Sequence, residues 1–256
     1  MTALITGASS GIGLELAKIH AEKGGNLIVV ARNIQKLKEI KLEFESKYAI
    51  SVEVIGKDLA APNAAQELFD EVRAKNIEVD YLINNAGFGQ SGAFADCDWT
   101  KTEGMLAVNI NALTELTKLF LPAMIARKKG KVLNVASVGA YLPGPYMAAY
   151  FATKAYVLSL SKALSIELRG SGVSVTAVCP GPTASQFWES SGTSDTSLVN
   201  RIQLPSAKDV ATKGYRAMIK GKSSVIPGWW NKLLVGFIRI IPKMWSAKAT
   251  GRFMKQ

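Results

Sequence analysis

Short apolar runs alternate with longer stretches in which apolar residues recur every three or four positions, and this alternation fills most of the chain. The runs predict β-strands over residues 2–6, 26–30, 51–55, 81–83, 131–136 and 173–178, several of them apolar at nearly every position. That density is expected of strands covered on both faces. Between them the spacing turns helical. Ile12, Leu16 and Ile19 share one face of a helix closed by Gly24-Gly25, and a polar helix covers 34–48. Further helices are predicted from Pro62 to about 75, over 99–127 as one long element ended by Gly130, through Tyr150 to about 169, and over 206–220. The run Ser223-Ser224-Val225-Ile226-Pro227 fits a short last strand. Strands and helices in alternation predict an α/β fold, a doubly wound parallel sheet whose ligand sits at the carboxyl ends of the strands. At 256 residues one sizeable core suffices, so the expectation is a single domain over 1–228 followed by an extension over 229–256.

Charge changes the picture at the end of the chain. The formal net charge is +11, and after Asp209 no acidic residue follows while ten lysines and arginines do, so the tail holds all but one of the net charges. From Trp229-Trp230 onward, apolar and aromatic residues are interleaved with these cations, and Arg239 interrupts the apolar run too early for a bilayer span. The extension reads as a basic amphipathic segment that lies on an anionic membrane surface or admits a lipophilic substrate, against a helix pair packed on the domain or on a second subunit. No recognition motif for nucleic acid accompanies the charge. Cys97 and Cys179 are expected reduced, no residue spacing suggests a metal site, and His20, the only histidine, falls on the first helix, away from any triad. The N-terminus enters a strand without a charged leader, so the expected location is cytoplasmic, with the tail able to rest on the inner membrane face.

Candidate chemistry centres on Tyr150 and Lys154, which share a helix face at i and i+4. A cation beside a phenol favours the phenolate, and the expectation is a tyrosine pKa lowered toward proton exchange with a substrate. Ser137, just past a predicted strand end, would face the same cleft. Alone, the pair describes many amphipathic helices with a half-buried ring and a solvated charge. It does not stand alone, because Thr6-Gly7-Ala8-Ser9-Ser10-Gly11-Ile12-Gly13 joins the first strand to the first helix. A glycine turn there lets backbone and a helix N-terminus approach a pyrophosphate. Gly7, Ser9, Ser10, Gly11, Ile12 and Gly13 are the candidate cofactor contacts. The second strand ends at Ala31-Arg32-Asn33, with no acid to bind ribose hydroxyls. A guanidinium can grip a ribose phosphate, so Arg32 favours NADP(H) over NAD(H).

With Asn84-Asn85-Ala86-Gly87 in the middle and Pro180-Gly181 after the Tyr150 helix, this ordered set resembles the short-chain dehydrogenase/reductase family over about residues 1–228. The resemblance implies a Rossmann-type fold, with Asp58 and Leu59 near the adenine, Asn85 and Gly87 lining the cofactor crevice, and Thr183 near the nicotinamide. It implies that Asn84 ties strands together, and that Asn109, or its neighbour Asn111, supports a water relay to Lys154. Ser137 would polarise the substrate oxygen, Tyr150 exchange its proton, and Lys154 hold the nicotinamide ribose. Family members using NADP often carry a second basic residue before the middle glycine, where this chain has Ser10. The implied activity is NADP(H)-dependent reduction of a small-molecule ketone or aldehyde, with a lipophilic acyl-chain or steroid-like compound favoured by the aromatic loop at Tyr141 to Met147 and by the tail. Oxidation of a secondary alcohol or sugar with NAD(H) is the alternative. A non-catalytic nucleotide sensor or membrane scaffold is disfavoured because Ser137, Tyr150 and Lys154 are all present. Relatives commonly pair through their long helices, so a homo-oligomer is expected. Residues 184–204, rich in Ser, Thr and Gly with Phe187 and Trp188, suggest a lid.

Overall fold

Residues 1–183 and 205–254 are described by the computed structural model, so the expected lid over 184–204 lies outside the described residues. The predicted strands pair as one parallel sheet of seven, in the order β3-β2-β1-β4-β5-β6-β7. These are β1 (Thr2–Thr6), β2 (Asn26–Ala31), β3 (Val52–Gly56), β4 (Tyr81–Asn84), β5 (Gly130–Val135), β6 (Val173–Val178) and β7 (Ser224–Val225). Ala3, Leu4 and Ile5 are all fully buried, which explains the apolar density of the central strand. Successive side chains point to opposite faces. Ala3 and Ile5 join Leu16 and Ala17 of α1 (Gly11–Ala21), Leu37 and Phe44 of α2 (Ile34–Tyr48) and residues of the helix Ala207–Ile219 on one side. Leu4 and Leu82 join Leu68 of α3 (Ala64–Ala74) and Leu116, Phe120 and Met124 of α5 (Leu113–Ala126) on the other. The helix α6 (Ala148–Glu167) covers β5 and β6 through Val157 and Leu158.

The chain runs from β1 outward to β2 and β3, then returns across β1 to β4 and continues the other way. The reversal opens a crevice at the carboxyl ends of β1 and β4, where parallel α/β sheets bind ligands. Register keeps those ends together: Ile5 pairs with Ile83, Asn84 with Asn134, and Val135 with Val178. Asn84 also donates to Asn134 Oδ1 at 2.9 Å and to Thr117 Oγ1 at 3.0 Å, tying β4 to β5 and to α5.

Two predicted helices differ from expectation. The helix expected from Pro62 begins at Ala64, because Asn63 takes a left-handed conformation (φ 59°) that keeps the proline outside. The helix expected to run unbroken over 99–127 is divided: α4 (Trp99–Leu106) passes into a π-helical stretch, Ala107–Ala112, before α5. After Ser206 caps α7 (Ala207–Ile219) through its own side chain, β7 adds a short edge, and the chain ends in α8 (Trp229–Ile238) and α9 (Lys243–Met254). Among the described residues no helix is long and apolar enough to cross a membrane, and no group of side chains could hold a metal ion.

Candidate active site

The glycine turn is shaped by contacts that exclude side chains. Gly7 has φ +64°, and a Cβ on Gly13 would lie 2.2 Å from the Gly7 carbonyl oxygen and 2.4 Å from Asn85 Nδ2. The turn is stitched to the neighbouring strand by Thr6, whose Oγ1 accepts from the N–H groups of Asn85 and Ala86 at 3.0 Å each. Asn85 returns two bonds, donating to the carbonyls of Thr6 at 2.9 Å and Gly7 at 3.1 Å. Its carboxamide therefore braces the turn. Thr6 carried no assigned role in the sequence, although its place as the last residue of β1 before Gly7 was visible there. Ser10 precedes α1 in extended conformation and makes no side-chain cap, so the first N–H groups of the helix face the crevice uncapped by it. Such a set of donors fits a pyrophosphate.

Around this turn, Ser9, Ser10 and Ile12 are half-buried, Arg32 is exposed at the end of β2, and Leu59 is packed into the core. Asp58 is exposed, and its Oδ1 accepts from the Ala60 N–H at 3.0 Å. Thr183 lies beyond β6, buried, donating to the Gly181 carbonyl at 2.9 Å.

The candidate catalytic residues meet beyond the carboxyl end of β5. Ser137 follows it with Oγ accepting from Gly139 N–H at 3.0 Å, and the same hydroxyl is hydrogen-bonded to Tyr150. One turn further along α6, Lys154 is 5% exposed and donates from Nζ to the Val135 carbonyl at 2.9 Å. Its Nζ stands 5.7 Å from the centre of the Tyr150 ring. Serine, phenol and ammonium thus converge beside the crevice. Asn109 sits in the π-helical stretch with every polar atom engaged: Phe88 N–H donates to its Oδ1 at 3.2 Å, and its Nδ2 donates to Phe88 O at 3.0 Å and to Thr153 Oγ1 at 3.1 Å. A Cβ on Gly87 would fall 2.8 Å from Asn109 Oδ1 and 3.3 Å from Lys154 Nζ, so the glycine is the space through which these two groups approach. Thr153, fully buried between Tyr150 and Lys154 in sequence, joins the site without a motif of its own; its position inside the Tyr-x-x-x-Lys spacing is the available signal.

The electrostatics correct one expectation. Tyr150 is not acidified: burial pushes its pKa up to about 12, with only the Ser137 bond pulling it down. Burial also holds Lys154 down at about 8. Desolvation is the dominant cause for each group, and the ammonium is turned to the Val135 carbonyl. At neutral pH the phenol is protonated and therefore ready to give a proton.

The short-chain dehydrogenase model matches residues 1–196. The chain belongs to this family. It is 37% identical over 194 residues to oxidoreductase UcpA of Salmonella typhimurium, covering 74% of this chain and 72% of that one. It is 37% identical over 180 residues to the very-long-chain 3-oxoacyl-CoA reductase of Phaeosphaeria nodorum, a match to 69% of this chain but only 53% of that longer protein. Among solved structures, a short-chain dehydrogenase from Sphingobium yanoikuyae in complex with NADPH superposes with a TM-score of 0.83 at 30% identity, over 94% of this chain and 96% of that one. The family is one of oxidoreductases, and in this short-chain dehydrogenase β5 and α6 bring its serine, tyrosine and lysine to one rim of the sheet.

Proposed function

We propose that the protein is an NADP(H)-dependent reductase of ketones or aldehydes. The observation that carries the reading is a buried, protonated Tyr150 phenol held by the Ser137 hydroxyl, with buried Lys154 Nζ 5.7 Å from the centre of the same ring. The glycine turn and the uncapped start of α1 supply backbone donors for a pyrophosphate, and Arg32 supplies a cation where an NAD-type site would have an acid. The NADPH bound by the Sphingobium yanoikuyae neighbour and the reductase name of the fungal relative support the same direction.

When bound, the dinucleotide supplies hydride to the carbonyl carbon. Ser137 orients the carbonyl oxygen, and Tyr150 breaks its O–H bond to give that oxygen its proton, leaving a phenolate. Lys154 offsets the new negative charge and holds the ribose, while solvent returns a proton to Tyr150. Asn109 acts at one remove, fixing the Phe88 backbone and Thr153 so that the α6 turn carrying Tyr150 and Lys154 keeps its place.

A second reading, oxidation of a secondary alcohol or sugar with NAD(H), draws on Ser10, which leaves the phosphate with one nearby cation fewer than many NADP-using relatives have. Turnover of a panel of ketones and aldehydes with NADPH and with NADH separates the two. Reduction with NADPH should exceed that with NADH by about tenfold or more in kcat/KM, and Arg32→Glu should reverse the preference. Equal or better use of NADH by the wild type would overturn the cofactor assignment.

A further inference from the structure

The last two helices carry an apolar face that the described residues leave uncovered. In α8, Val235 and Ile238 turn inward at 1% and 8% exposure, whereas Trp229, Trp230, Leu233 and Phe237 are 57–68% exposed. Ile240 and Trp245 extend the face into α9 at 84% and 68% exposure. Trp229 and Trp230 stack on one another at 4.1 Å instead of entering the core. A contiguous patch of this kind on a folded protein marks a contact surface.

Charge decides what it contacts. Residues 229–256 contain Lys232, Arg239, Lys243, Lys248, Arg252 and Lys255 and no acid. Among the described residues, Lys232, Arg239, Lys243, Lys248 and Arg252 enter no ion pair. A symmetric contact between two copies through this face would set one acid-free basic segment against another, which opposes association. A surface of anionic lipid answers both features, taking the tryptophans at headgroup level and the cations at the phosphates.

We propose that α8 and α9 form a docking face for an anionic lipid bilayer. Its placement gives the docking a purpose. Asn231 donates to the Pro227 carbonyl at 2.7 Å and abuts Gly181, seating α8 beside the segment that leaves β6. Arg239 lies over the Tyr141 ring at 5.1 Å, and a Cβ on Gly251 would be 3.3 Å from Pro145. Tyr141 and Pro145 belong to the loop that follows Ser137. A bilayer held by α8 and α9 is thereby brought to the rim of the reaction site, where a carbonyl compound dissolved in lipid can enter. That last step rests on the reductase reading; the docking does not.

The test is flotation of the full-length protein with vesicles of phosphatidylcholine alone or mixed with phosphatidylglycerol. Partition should require the anionic lipid and weaken as salt is raised. The triple variant Lys232→Glu, Lys243→Glu, Lys248→Glu should lower partition by at least about tenfold. So should Trp229→Ser with Trp230→Ser, and both should keep the wild-type unfolding midpoint and turnover of a water-soluble ketone. Absence of partition at low salt, equal partition to neutral vesicles, or variants that float as the wild type does would each overturn the proposal. Loss of a dimer in the tryptophan variant, without vesicle binding by the wild type, would assign the face to a second copy instead. Anionic-lipid binding by a protein that reduces no carbonyl compound would sustain the docking and remove the reductase reading.

Discussion

Lys154 is placed where a positive charge is costly, 5% exposed and with a single carbonyl as its hydrogen-bond acceptor. Its pKa stands near 8 in the fold against 10.5 when solvated. Between those values the folded protein holds this proton less well than the unfolded chain, so stability is lost as pH falls through the folded pKa and is recovered above the unfolded one. In the ligand-free protein this site should contribute a rise of ~3 kcal/mol in unfolding free energy from about pH 8 to about pH 10.5. Urea melts of the wild type and Lys154→Met across that window should show the rise flattened in the variant; identical slopes would mean that the ammonium is not desolvated. The spacing of Tyr150 and Lys154 revealed that they share a face, but not the sign of the tyrosine shift. That sign depends on how completely the ring is enclosed and on where Nζ turns, to the Val135 carbonyl 19 residues back in the chain. Gly87 shows the same division: its place in Asn84-Asn85-Ala86-Gly87 marked it, but its reason, the approach of Asn109 and Lys154, is a property of three elements brought together.

Among the elements, the π-helical stretch Ala107–Ala112 is one that the apolar pattern does not foretell. Its side chains are compatible with ordinary helix, and what sets it apart is the backbone shift around Asn109. The signal available was the asparagine itself, a poor helix former whose carboxamide competes for backbone bonds. Here that competition is resolved by Phe88 and Thr153. Asn109→Ala leaves the Phe88 N–H without its acceptor and should lower stability by about 1–3 kcal/mol. Because Thr153 and the turn bearing Tyr150 lose their brace, kcat should fall while the NADPH Kd stays within about twofold. A loss of stability with kcat unchanged would reduce Asn109 to a packing residue. The strands, by contrast, were legible within a residue or two, since a strand buried on both faces has no polar alternation to blur its ends. The helix α3 starts two residues after Pro62 because the left-handed Asn63 separates the proline from the first helical turn.

At the scale of the molecule, alternation of strands and helices implied the doubly wound sheet, and the strand order places the glycine turn, Asn85, Ser137 and Thr183 on one rim because all seven strands run the same way. What pattern alone could not supply is the path of the tail, where the same mixture of tryptophan and lysine suits a packed helix pair or a docking face. The exposure of Trp229, Trp230 and Phe237 supports the docking proposal, and vesicle flotation decides it. The account as a whole depends on that rim acting as one proton-donating site beside a bound dinucleotide. Its most direct test is Tyr150→Phe, measured for both turnover and NADPH affinity on a ketone that the wild type reduces. The phenol's removal should lower kcat by about 10²–10⁴-fold and leave the NADPH Kd within about twofold; a variant that keeps more than about a tenth of wild-type turnover would contradict the assignment of the proton to Tyr150.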